Sequence, residues 1–113
     1  EGKRAETIIA CHLLKAVEGW TDLGYGEFSL NYLRNKQKKE VDFLVVRDKR
    51  PWFLVEAKAG EERLSESLVY HSRQPGVKKA FQVVQKLPYQ AANCFDYDEP
   101  IVVPALTFLS QLA

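Results

Sequence analysis

Two short runs, residues 43–46 and 52–55, read Phe-Leu-Val-Val and Trp-Phe-Leu-Val. Side chains alternate along a strand. Leu44, Val46, Trp52 and Leu54 therefore fall on one face, and Phe43, Val45, Phe53 and Val55 on the other. A strand apolar on both faces belongs inside a sheet that is covered on both sides. Asp48-Lys49-Arg50-Pro51 between the runs is turn chemistry. These residues predict a central hairpin with helices above and below it.

Charge is unwelcome in such strands, yet Glu40, Asp42, Glu56 and Lys58 stand at the end away from the turn. All four share one face by alternation. With Asp48-Lys49-Arg50 as the loop, Arg47 pairs with Pro51, Asp42 faces Glu56 and Glu40 faces Lys58. Directly opposed Cβ atoms stand about 5 Å apart. A four-residue loop shifts the register by one and sets Asp42 opposite Ala57, still on the face of Glu56. Two carboxylates this close in a partly dry site repel, and one pKa rises unless a cation compensates. Oxygen donors suit Mg²⁺ or Mn²⁺, and Mg²⁺ commonly takes one or two carboxylates together with water and substrate phosphates. Lys58 is placed to orient a water or to stabilise negative charge developing on phosphorus. The plainer alternative is a salt-bridged strand end in which Lys58 pairs with Glu40 or Glu56.

Asp42 followed by Glu56-Ala57-Lys58, after a helix that carries Glu6, resembles the PD-(D/E)XK nuclease superfamily. Tyr32-Leu33-Arg34, Lys39-Glu40-Val41-Asp42-Phe43 and Val55-Glu56-Ala57-Lys58 together are similar to the C-terminal domain, of unknown function, of a family of prokaryotic AAA-type ATPases. The likeness covers about residues 3–84, with Val41 standing where the superfamily signature has Pro. It implies a restriction-endonuclease-like α/β core: an antiparallel meander plus a parallel fourth strand in a mixed sheet, with helices on both faces. It further implies a nuclease-like domain acting on DNA phosphodiester bonds beside an ATPase module. Asp42, Glu56 and Glu6 would hold the metal with a backbone carbonyl near Ala57. Lys58 would assist the attacking water, with Glu40 behind them. The alternative is a catalytically silent module of the ATPase that binds nucleic acid or protein.

The remaining chain supplies the layers. Ala5, Ile8, Ile9, Leu13, Ala16 and Val17 recur at helical spacing and predict a helix over 3–18, stopped by Gly19. Glu6 lies on or beside its buried stripe. A strand is expected over 28–33, and the basic connector 34–39 carries Arg34, Lys36, Lys38 and Lys39. That connector is either a solvated turn or a phosphate contact. A helix follows over 61–73, with Glu61 and Glu62 in its first turn and Gln74-Pro75-Gly76 as its stop. Some PD-(D/E)XK lineages carry a Gln in this helix near the metal, and Gln74 stands at its end. Residues 79–86 read as a strand that crosses over the helix and so pairs parallel. A short strand over 101–103 and a helix over 104–112, with Pro near its first turn, close the domain.

The 113 residues, 46% hydrophobic and 27% charged, make one globular domain. The chain has no Met, which is expected of a domain cut from a longer protein. No Gly-x-x-x-x-Gly-Lys-Ser/Thr loop occurs, so no ATP site of that kind is expected. A net charge of +1 leaves any nucleic-acid contact to local patches. Cys11 and Cys94 have neither metal spacing nor a disulfide framework, which reads as intracellular, hence cytoplasmic. No apolar run approaches the roughly 20 residues of a membrane span.

Overall fold

The computed structural model describes residues 2–32, 43–60 and 62–112. Helix α1 (Gly2–Asp22) carries Ala5, Ile9, Leu13 and Val17 on its buried face. It runs past Gly19, where the sequence predicts a stop. Trp20 accounts for the extension: its ring packs against the core and its Nε1–H donates to the Leu112 carbonyl at 3.1 Å. This anchoring outweighs the roughly 1 kcal/mol that a glycine costs inside a helix. The stop comes at Gly24, at φ +84°. Tyr25 N–H donates to the Trp20 carbonyl and Gly24 N–H to the Thr21 carbonyl, both at 3.1 Å. A left-handed glycine closes a helix in this way.

The described strands are β1 (Phe28–Tyr32), β2 (Phe43–Arg47), β3 (Arg50–Lys58), β4 (Lys79–Val84) and β5 (Ile101–Pro104). They form one sheet in the order β1-β2-β3-β4-β5. The β1–β2 and β2–β3 pairs are antiparallel, and the β3–β4 and β4–β5 pairs are parallel. The central strand is β3. Helix α2 (Glu66–Ser72) sets Leu68 against Leu54 and Ala80 on one face. Helices α1 and α3 (Ala105–Ser110) cover the other, where Phe53, Phe81 and Phe108 are fully buried. The domain is thus α/β, with a mixed sheet between helices, as the apolar strands demand.

The hairpin departs from expectation in a way that cancels itself. Its loop has two residues, Asp48 and Lys49, and Arg47 pairs with Arg50. Left alone, that loop would shift the register away from the expected one. The shift is undone between Val45 and Val46, where the pairing passes from Val46↔Pro51 to Val45↔Phe53. Trp52 is the extra residue of this bulge, and a bulge re-aims side chains. Trp52 accordingly packs on the face of Phe53, at 4.9 Å between ring centroids, and not on the face of Leu54 as plain alternation predicts. Beyond the bulge Phe43 pairs with Val55, in the expected register.

Helix α2 begins later than the sequence predicts. Ser65 caps it, its hydroxyl oxygen accepting from Leu68 N–H at 3.3 Å. Ser is a strong N-cap because it satisfies an otherwise orphaned N–H, and that signal outranks the acidic pair Glu61-Glu62. Gln74 follows α2 in the turn leading into β4, at the opposite end of the sheet from Glu56. Pro104 ends β5 and caps α3.

Two outcomes follow from these details. Asp48 and Lys49 have φ of 50° and 68°, the left-handed positions of a primed turn. A left-handed residue other than Gly costs about 1–2 kcal/mol, and Gly returns part of the gain as lost chain entropy. Lys49→Gly is therefore expected to raise the urea-unfolding free energy by about 0.5–1 kcal/mol. Burial, meanwhile, pushes the Cys94 thiol above its ordinary 9.0, against weaker pulls from a backbone N–H and Lys79. The unfolded thiol ionises first as pH rises, so the stability this group contributes is full below pH 9.0 and falls above it. A thiol-reactive dye should label exposed Cys11 promptly and reach buried Cys94 only on unfolding.

Candidate functional site at the carboxyl end of the sheet

The register lines up Tyr32, Phe43, Val55, Phe81 and Ile101 in one row across the sheet. Glu56, Gln82 and Val102 occupy the next row. Alternation turns Glu56 and Gln82 to the face of Leu54 and Ala80, beneath α2. Glu56 is only 5% exposed. The Lys58 Nζ stands 4.0 Å from its Oε1, with the lysine side chain 30% exposed at the rim. That separation gives an ion pair but is too long for a hydrogen bond between those two atoms. The strand is tied past this point by Gln85 N–H to the Lys58 carbonyl and Lys86 N–H to the Ala59 carbonyl, both 2.9 Å.

Gln82 is fully buried beside Glu56. Its Oε1 accepts from Ser65 N–H at 2.7 Å and its Nε2 donates to the Arg63 carbonyl at 2.8 Å. The segment entering α2 is thereby clamped to the sheet next to the carboxylate. Sequence reasoning passed over Gln82, although a signal was there: one amide inside Ala-Phe-Gln-Val-Val, a strand otherwise apolar on both faces.

Glu6 is placed differently. It accepts a hydrogen bond from the Tyr32 hydroxyl at 2.5 Å, and Tyr32 stacks edge-on against Phe43. Both belong to the α1 side of the sheet, whereas Glu56 belongs to the α2 side. Glu6 and Glu56 share an end of the sheet, one row apart through Tyr32 and Phe43, but not a face. Asp42, Glu40, Arg34, Lys36, Lys38 and Lys39 lie outside the described residues. The last described pair of this ladder is Phe43 with Val55. Among the described residues no three of His, Cys, Asp and Glu stand together.

A buried carboxylate, an adjacent lysine and a clamped loop at the carboxyl end of parallel strands define an α/β domain with a polar strand-end site. Residues 1–103 match the family described as a domain of unknown function, DUF4143, and the chain belongs to that family. Neither the curated proteins nor the solved structures give a match. No helix among the described residues is long and apolar enough to cross a membrane.

The clamp makes a direct test. Gln82→Leu keeps the volume but strands Ser65 N–H and the Arg63 carbonyl. It is expected to cost about 1–3 kcal/mol in urea unfolding and to speed amide exchange at the start of α2.

Proposed function

We propose that this end of the sheet is a metal-dependent phosphodiester hydrolysis site of restriction-endonuclease-like type, acting on DNA beside an ATPase module of the same polypeptide. Glu56 carries the reading. A carboxylate so buried costs stability unless it is compensated, and a strand end serving only the core would have an apolar residue there, as Leu54 is two positions earlier. Lys58 follows at the spacing that nuclease chemistry uses.

The donor set fits a hard cation. Glu56 offers buried carboxylate oxygens, and Asp42 would add a second carboxylate. Glu6, engaged by the Tyr32 hydroxyl on the opposite face of the sheet, stands apart from this pair. A Mg²⁺ or Mn²⁺ ion bound by Glu56 and Asp42 would lower the pKa of a water and offset phosphate charge. The Lys58 ammonium, at the rim, steadies the attacking water or the oxygen on which charge develops. Glu40 supports Lys58, and Arg34, Lys36, Lys38 and Lys39 hold phosphates. Gln82 keeps the Arg63–Ser65 segment from closing over the carboxylate or drifting from it.

One observation favours a second reading. The Lys58 ammonium already neutralises Glu56 within the chain, which a silent module binding nucleic acid or protein would equally need.

Thermal unfolding with and without Mn²⁺ separates the two. For the native chain a hundredfold excess of Mn²⁺ over its Kd should add about 2.7 kcal/mol. Asp42→Asn and Glu56→Gln should lose that gain and be no less stable than the native chain without metal. Lys58→Ala should keep the metal gain and lose cleavage of DNA. If Mn²⁺ changes nothing and Glu56→Gln destabilises, the ion pair is structural and the silent module is the correct reading.

A further inference from the structure

At the other end of the sheet, where β3 begins and β2 ends, lies a cavity of about 800 Å³. Trp20, Phe28, Trp52 and Phe95 line it, with Arg47 and Lys79. The three rings of Trp20, Phe28 and Trp52 contact one another, with centroids 5.2, 5.8 and 5.8 Å apart and planes tilted by 52–60°. Phe95 meets Trp52 at 6.0 Å. All four rings are only half-buried, so they present apolar surface to the cavity rather than closing the core over it. The size falls within the range of small-molecule pockets, and so does the composition: mostly apolar walls with a few polar groups.

Two of the polar groups, Arg47 and Lys79, are cationic, and Asn93 and Gln111 are neutral. The Arg47 guanidinium lies over Phe28 at 5.5 Å and over Trp52 at 5.7 Å, held against two ring faces. One of its N–H groups donates to the Tyr25 carbonyl at 3.4 Å, and Asp48 is 3.9 Å from Nε. A guanidinium has five N–H donors in a planar fork suited to a carboxylate or a phosphate. Asp48 is itself engaged, accepting from Glu27 N–H at 2.9 Å. Lys79 also lines the cavity and donates to the Tyr97 carbonyl and to highly exposed Asp98, both at 3.1 Å. Its partner carboxylate is 92% exposed and so lies toward water.

The geometry points to a binding site for a planar aromatic anion: a ring of purine or indole size that stacks on the tryptophans, with a phosphate or carboxylate on Arg47. Ring faces attract another π-system, and Arg47 and Lys79 supply charge complementarity. A neutral aliphatic ligand would use the walls but none of the remaining N–H donors of the guanidinium. Nucleotides and aromatic carboxylic acids share this chemistry. The site is separate from the strand end with Glu56, and nothing in its assignment depends on hydrolysis there.

The chain has two tryptophans, and both line the cavity. Their indole N–H resonances in a ¹⁵N-labelled sample of the whole chain therefore report occupancy. Adenosine monophosphate and indole-3-acetate are the probes, with adenosine and inorganic phosphate as controls. The expected result is a saturable shift of both indole resonances by at least one anion, with the uncharged nucleoside at least tenfold weaker and phosphate alone inert. A shift with the nucleotide only assigns the source to nucleotides, and with indole-3-acetate only to aromatic acids. Arg47→Gln should weaken binding at least tenfold, whereas Glu56→Gln should bind as the native chain does. If Arg47→Gln disturbs the indole resonances before ligand is added, Lys79→Gln serves instead and should also weaken the anion. The proposal is overturned if neither anion shifts the indoles, if adenosine binds as tightly as its phosphate, or if a folded Arg47 variant binds unchanged.

Discussion

Burial of β3 on both faces is the constraint from which the rest of the fold follows. Phe53 and Val55 require α1 and α3 on one side, and Leu54 requires α2 on the other. A strand enclosed in this way must also have neighbours along both edges, because its N–H and C=O groups have no water to turn to. β2 and β4 supply them, one antiparallel and one parallel. The change of direction gives the sheet two chemically different ends. At one, the parallel strands finish and a carboxylate stands beside an amide. At the other, the hairpin turns and aromatic rings gather around a guanidinium.

Much of this was legible because apolar patterning speaks most clearly where burial is greatest. The central hairpin, the parallel partner of β3 and the helices on both faces all follow from runs such as Phe-Leu-Val-Val, which have no exposed face to give. Boundaries were less legible. Gly19 reads as a helix stop, yet Trp20 gains more from the core than the glycine loses. Glu61 and Glu62 read as a first turn, yet the hydroxyl of Ser65 sets the start. In each case a contact distant in sequence, or a single capping bond, outweighed local composition.

Of the strand-end site, the proximity of Glu56 and Lys58 was legible because two residues in one strand share a face regardless of register. Glu6 was harder to place. Its position in α1 was clear, but its bond to Tyr32 depends on how the helix crosses the edge of the sheet. Gln82 was visible only as an oddity, since its purpose lies in Arg63 and Ser65, nearly twenty residues before it. The aromatic cavity left no trace in periodicity at all. It exists because one residue of β3 breaks the alternation that makes strands readable.

The displaced tryptophan has a mechanical meaning as well. A two-residue reversal and one surplus residue together advance the chain as far as the three-residue reversal that the pairing of Phe43 with Val55 would otherwise require. Changes of chain length on the hairpin side can therefore be absorbed there, in the same way that a slack link in a belt leaves the far pulley aligned. The shape of the aromatic end and the spacing of groups around Glu56 are thereby set by separate features of one hairpin.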